Sequence, residues 1–266
     1  MIAIEHIAEI DSTNSELTRR ALCGGAQAVH GVALVADHQV AGRGQRGRAW
    51  RDSASEPGAS LLLSVGWACA RTIPLDGLSL SLGLALREAL APLVAEPARL
   101  AVKWPNDLLY ASGKCGGVLV ETVNPVDAAE TRVLVVGIGL NLTAVPVLGT
   151  ADAQRALPPR ALFPEAAPGM APVLRERVLK RLLPALGQCL ERFEQRGFAA
   201  DREAFEARMA WLGELAVFVR PAGETLRGRI DGVAADGALR LVADGAPLTL
   251  HSGELRRACP AASATS

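Results

Sequence analysis

The sequence predicts an α+β protein: a mixed central sheet with flanking helices over residues 1–212, then a small all-β domain over residues 213–266. Three observations carry this prediction. Short apolar runs of strand length alternate along the chain with segments whose leucines recur at helical spacing. After Gly213 the texture changes to short strands separated by turn residues. The chain has 266 residues, half of them apolar, which suffices for one large core with a small appended unit.

The elements follow in order. Thr13-Asn14-Ser15-Glu16 fits a capping box and predicts a helix through about Leu22, stopped near Gly24-Gly25. Val32 to Ala36 and Leu61 to Val65 read as buried strands. From Leu78 to Val94, leucines at 78, 82, 86 and 90 keep to one helical face. Leu100 to Trp104 reads as a strand broken by Pro105-Asn106-Asp107. Gly117 to Glu121 and Val133 to Leu142 are two more strands. The Ala- and Pro-rich stretch from Leu142 to Pro172 is a long connection or a set of short helices. Val173 to Phe193 carries a helical apolar stripe that Pro184 should kink. A further helix is expected over Asp201 to Leu212. Short strands at Val217–Val219, Thr225–Ile230, Leu239–Val242 and Leu248–His251, with Asp236-Gly237 and Asp244-Gly245 turns, predict a small β-barrel. The small, polar tail after Cys259 is expected to be disordered.

Composition narrows the function. Basic and acidic residues balance at 28 each, so the chain lacks the overall basic field of a non-specific nucleic-acid binder. The N-terminus carries no secretory pattern, and no uncharged apolar run is long enough to span a bilayer. Five scattered cysteines (Cys23, Cys69, Cys115, Cys189, Cys259) make no C-x-x-C pair, which points to packing roles in a reducing cytoplasm.

The densest chemical signal is Ala41 to Trp50, AGRGQRGRAW, with three glycines (Gly42, Gly44, Gly47) and three arginines (Arg43, Arg46, Arg48). Glycine turns backbone N–H groups toward an anion, and arginine adds a planar, permanently charged fork of donors. The segment reads as a loop that closes over phosphate, or as a solvated basic turn. Three more segments accompany it: Asp11-Ser12-Thr13-Asn14; Lys103-Trp104-Pro105-Asn106-Asp107; and Gly113-Lys114-Cys115-Gly116-Gly117-Val118-Leu119-Val120-Glu121, with Gly137-Ile138-Gly139-Leu140-Asn141 downstream.

These segments, in this order and together with Gln39, resemble the catalytic domain of biotin protein ligases over nearly the whole chain. The resemblance implies a class II synthetase-like catalytic domain and a C-terminal SH3-like β-barrel. It also implies a two-step reaction. Biotin and ATP give biotinyl-5′-AMP, and a lysine of a biotin carboxyl carrier domain then attacks the anhydride. Lys114, Arg43 and Lys103 are the implied catalytic residues. Ser12, Thr13, Asn14, Gln39, Gly42, Arg43, Gly44, Gln45, Lys114, Gly116 and Gly117 are implied in biotin binding. Arg46, Arg48, Trp50, Lys103, Asn106, Asp107 and Asn141 fall to ATP.

Physical chemistry supports those roles. Bringing a carboxylate against an α-phosphate costs about 4 kcal/mol of repulsion at ~4 Å and an effective dielectric of 20. Fixed cations are therefore the main catalytic need. Lys114 is a compact ammonium after a glycine turn, able to reach both anions. Lys103, at a strand end, meets the same phosphates or is simply exposed. Asn106 and Asp107 contact the nucleotide or form an Asx turn, and Asp107 is alternatively a ligand for the Mg²⁺ that accompanies ATP. Ser12, Thr13, Asn14 and Gln39 supply neutral donors and acceptors for the ureido ring of biotin. Trp50 covers adenine, stabilises the folded loop or anchors the core. Cys115 is not required as a nucleophile, because the attacking amine comes from the partner.

One departure stands out. Family members commonly show Gly-Arg-Gly-Arg-x-Gly-Arg, where this chain has Gln45 at the second arginine. That arginine is associated in the family with holding the adenylate. The loop itself, with three glycines and three like charges, is expected to order on its anion. Some family members carry an N-terminal helix-turn-helix domain. Here the Ser-Thr-Asn segment begins at Ser12, so operator DNA is not an expected partner, nor is a membrane, while a homodimer is compatible with the sequence. The rivals are a lipoate ligase or octanoyl transferase of the same superfamily, and a nucleic-acid-binding module using the arginine loop.

Overall fold

The computed structural model describes residues 2–53, 56–125, 129–147 and 157–258; the tail after Cys259 lies outside them. Strands β1 (Ala3–Ile10), β2 (Val32–Gln39), β3 (Ser60–Ala70), β4 (Leu100–Lys103), β5 (Asp107–Tyr110), β6 (Gly113–Val123) and β7 (Thr131–Asn141) form one sheet in the order β1-β2-β3-β7-β6-β5-β4. β1 pairs with β2 in parallel and every other pair is antiparallel, so the sheet is mixed as the sequence predicts.

Alternation along the strands builds a core on each face. Leu134 and Val136 of β7 join the larger cluster, while Val133 and Val135 turn to the smaller one. Helix α1 (Thr13–Gly24) closes the smaller face with Leu17 and Ala21. Helices α2 (Leu78–Leu90) and α3 (Ala171–Arg196) close the larger. Leu78, Leu82, Leu86 and Leu90 are all buried, each contributing about 2 kcal/mol of apolar burial. The α3 helix runs through Pro184 as one element and begins two residues before the expected Val173.

The second sheet comprises β8 (Leu215–Val219), β9 (Thr225–Val233), β10 (Leu239–Ala243), β11 (Ala246–Leu250) and β12 (Glu254–Arg257), all antiparallel, in the order β11-β10-β9-β8-β12. Its inward residues Phe218, Ile230 and Leu241 belong to the same apolar cluster as the α2 leucines. Trp104 ties the two sheets together: its ring packs 5.9 Å from Phe218 and its Nε1 donates to the Gly237 carbonyl.

One element is added and two expectations need correction. The N-terminal segment forms a strand that periodicity misses, because β1 lies at a sheet edge and is exposed along most of its length. The helix expected over 201–212 is only α4 (Arg202–Glu206). Beyond it the chain turns to pair with β4, with Val102 N–H donating to the Arg208 carbonyl and Ala210 N–H to the Val102 carbonyl. The helix cap also shifts: Ser12, not Thr13, is the N-cap, accepting from Ser15 N at 3.5 Å.

Candidate active site

The strand ends, the arginine-glycine loop and the turn before β12 enclose a cavity of about 640 Å³. Its walls bring together Ser12, Thr13, Asn14 and Gln39; the loop residues Arg43, Gly44, Gln45, Arg46, Arg48 and Trp50; and Lys103, Asn106, Asp107, Lys114, Gly117 and Asn141. Gly42 and Gly116 are absent from those walls and act through packing. A side chain on Gly42 would strike the Trp50 carbonyl, and one on Gly116 would strike Leu140.

A buried charge cluster forms the cationic side. The Lys103 Nζ lies 2.8 Å from one Asp107 oxygen and the Lys114 Nζ 2.5 Å from the other. Burial pushes the Asp107 carboxyl up, but the two ammonium groups pull harder and hold it at about 2. Two cations around one anion leave a net positive charge facing the cavity. Lys103 is buried, not the exposed strand-end lysine of the alternative reading. Both Asp107 oxygens are engaged by ammonium groups. Among the described residues no group of three His, Cys, Asp or Glu side chains could hold a metal.

Local geometry aims these groups. Lys114 follows a turn as expected, although Ala111 and Ser112, not a glycine, take the positive φ values there. It lies inside β6 next to a bulge, where Leu108 faces Gly116 and Leu109 faces Lys114, leaving Cys115 as the extra residue. The Lys114 backbone is braced on its other side, its N–H donating to the Pro158 carbonyl and its carbonyl accepting from Arg160 N–H. Asn141 donates from Nδ2 toward the carbonyls of Lys114 and Arg160, while its Oδ1 is buried without a partner. Asn106 locks the turn onto β6 by donating to the Val118 carbonyl at 2.8 Å. Cys115 is buried, and burial pushes its thiol well up, so it is no nucleophile.

The loop is tied down by protein groups as well as shaped for an anion. Arg43 pairs with Glu121 at 2.7 Å, Arg46 donates to the Gly253 carbonyl, and Arg48 meets Glu254 at 2.5 Å. Arg46 and Gly47 both adopt positive φ, which makes the tight turn. Trp50 packs against Gly139, where a Cβ would overlap its ring, and the Lys114 ammonium sits 5.7 Å from the ring centroid. Burial works against the Glu254 carboxylate, but hydrogen bonds from Arg256 and Arg48 outweigh it and lower its pKa.

Four contributors have no role assigned from the sequence. Ser64 and Glu121 connect the polar wall to the loop, with Ser64 bonding Thr13 and Asn14, and Glu121 bonding Asn14 and Arg43. Glu254 and Arg256 bring the second sheet into the cavity wall. Ser64 sits in an apolar strand run with no motif of its own, and Glu121 closes the Gly113–Glu121 segment without a role of its own in the sequence reading.

A polar wall of neutral groups beside a cluster of fixed cations gives one cavity that can hold an uncharged polar head next to an anion. Residues 10–141 match the model of the Biotin/lipoate A/B protein ligase family. The chain is 32% identical over 258 residues to a biotin–[acetyl-CoA-carboxylase] ligase of Mycobacterium tuberculosis, spanning 95% of this chain and 88% of that protein. It is 35% identical over 238 residues to the same-named ligase of Paracoccus denitrificans, spanning 88% of this chain and 92% of that one. The fold superposes on a biotin protein ligase of Aquifex aeolicus in complex with biotin and ATP, with a TM-score of 0.75, 27% identity, and coverage of 97% and 100%. The chain belongs to this family and, within it, to the biotin protein ligases.

Proposed function

We propose that this protein activates biotin with ATP and passes it to a lysine of a biotin carboxyl carrier domain. The observation that carries the reading is the Lys103–Asp107–Lys114 cluster sharing one cavity with the arginine loop and the neutral Ser12–Gln39 wall. In the first step a carboxylate oxygen of biotin attacks the α-phosphorus of ATP and pyrophosphate leaves. Lys114 and Arg43 hold the two anions together, while Lys103 keeps Asp107 from neutralising Lys114 alone. In the second step the carrier lysine amine attacks the anhydride carbonyl and AMP leaves. The chain's own groups then need only to hold the adenylate and exclude water. Arg46, Arg48, Asn106 and Asn141 are assigned to the nucleotide, with Trp50 beside them, and the Mg²⁺ expected with ATP would ride on its phosphates. The unit through residue 212 carries the chemistry and the sheet from 213 completes the wall. The protein works in the cytoplasm; among the described residues no helix is long and apolar enough to cross a membrane.

Incubating the protein with radiolabelled biotin and ATP, then adding carrier domain, tests the reading. Labelled biotinyl-AMP should form first and its label should move to the carrier. Absence of the adenylate would remove the proposal, and preferential use of lipoate would transfer it to the lipoate branch.

Two smaller predictions arise here. Gln45 lines the cavity at the position where the family resemblance implies an arginine, and a neutral hydrogen bond is worth about 1 kcal/mol less than a charged one. Gln45→Arg should slow adenylate release about five- to tenfold in a single-turnover trap; equal or faster leakage would refute this. Tryptic cleavage between Arg43 and Arg51 should also slow when biotin and ATP are added together. Because Glu254 clasps Arg48, Glu254→Ala should speed cleavage without ligand and leave the ligand protection in place.

A further inference from the structure

The polar wall contains a hydrogen-bond relay whose direction can be worked out proton by proton. Glu121, a carboxylate facing the Arg43 guanidinium, only accepts. Asn14 must therefore offer it Nδ2, at 2.7 Å, which turns Asn14 Oδ1 toward Ser64. Ser64 Oγ, fully buried and 2.5 Å from that oxygen, must spend its single proton there. Ser64 then has only lone pairs for Thr13 Oγ1, 2.6 Å away, so Thr13 is the donor in that pair. Thr13 Oγ1 also lies 3.0 Å from Gln39 Oε1, but its one proton goes to the shorter Ser64 contact, where no other proton is left to fill the gap, so toward the cavity Thr13 Oγ1 only accepts. Gln39 is fixed as well: its Oε1 takes the Thr13 backbone N–H at 2.7 Å, leaving Nε2 as the free donor. Gly137 makes room for the relay, since a Cβ there would collide with the Asn14 amide.

We infer that Glu121 is a specificity-determining residue acting at a distance: through Asn14 and Ser64 it fixes Thr13 as an acceptor, so that the wall selects a ligand giving an N–H to Thr13 and taking one from Gln39. A cyclic urea has that complement, with N–H donors flanking a carbonyl acceptor; the inference rests on the biotin reading in this respect. Glu121 touches no ligand in this account, so it is a positioning residue. Its pairing with Arg43 is a separate duty, and the two can be told apart.

The test compares biotin with its two cyclic-carbamate analogues, each with one ring N–H replaced by oxygen, by titration calorimetry on the full chain. The worse-bound carbamate sets an acceptor against the Thr13 acceptor, so wild type should prefer biotin on the order of a hundredfold. In Glu121→Gln the new amide can donate to Asn14, the relay can reverse, and Thr13 can donate to the carbamate oxygen. The preference should fall below about tenfold. Ser64→Ala frees the Thr13 proton by another route and should reduce the preference similarly, with the Glu121–Arg43 pair intact. If either folded variant binds both ligands more weakly but keeps the wild-type ratio, Glu121 serves only to hold the loop and the inference is wrong. If wild type binds neither biotin nor the carbamates, the biotin reading itself fails and takes this inference with it.

Discussion

Replacing Lys114 with alanine will abolish adenylate formation while leaving the protein folded. The expected loss in the rate of pyrophosphate release is on the order of a thousandfold, the scale of removing a preorganised charge from a site where negative charge must gather. The fold should survive because Lys114 is one-third exposed and its removal still leaves Asp107 paired with Lys103. Lys114→Arg separates charge from shape. It keeps the cation, but the bulge beside Lys114 and the Trp50 ring 5.7 Å away leave little space for a planar fork. That variant should retain less than about a tenth of the activity. Thermal unfolding of both variants within a few degrees of wild type, alongside intact activity in Lys114→Ala, would show that the mechanism assigns the wrong cation.

The cluster around Lys114 also shows what a sequence can and cannot disclose. Its members lie in two short motifs, KWPND and GKCGG, and the residue types alone announce charge near a break in the chain. The bulge that aims Lys114 depends on pairing with β5, a four-residue strand too short to show a period. The relay is harder still: Ser64 lies 50 residues from Asn14, and Glu121 lies 107 residues from it. Nothing local distinguishes a serine in LLLSV from any other strand serine. The α2 leucines were legible because their burial stamps a helical period on the sequence, and the β2, β3 and β7 runs because burial on both faces of the sheet leaves an unbroken apolar stretch of strand length. β1 escaped because an exposed edge strand carries no such stamp. The helix expected beyond Asp201 failed where tertiary pairing with Val102 outweighed local propensity, and Trp211 takes a positive φ there.

Asp107→Asn will be the most destabilising change in the cavity. An amide cannot offset the Lys103 and Lys114 ammonium groups, both of which lie within 2.8 Å of the present carboxylate. Breaking a buried ion cluster by removing its anion costs about 3–5 kcal/mol, which a urea unfolding midpoint at neutral pH will register. Removing a second charge should relieve the first loss: Asp107→Asn combined with Lys103→Met should be more stable than Asp107→Asn alone. Additive losses in the double variant would mean that the two ammonium groups are not in conflict without Asp107. The pH dependence follows from the same geometry. The native carboxyl titrates at about 2 against an ordinary 3.8, so the stabilisation it brings is complete above the ordinary value and fades as pH falls toward the native one. The stability gap between wild type and Asp107→Asn should therefore hold steady from pH 7 to about 5 and narrow by about 2 kcal/mol between roughly pH 4 and 2. A gap that stays constant across that window would show that Asp107 holds its place by shape and hydrogen bonding, not by charge.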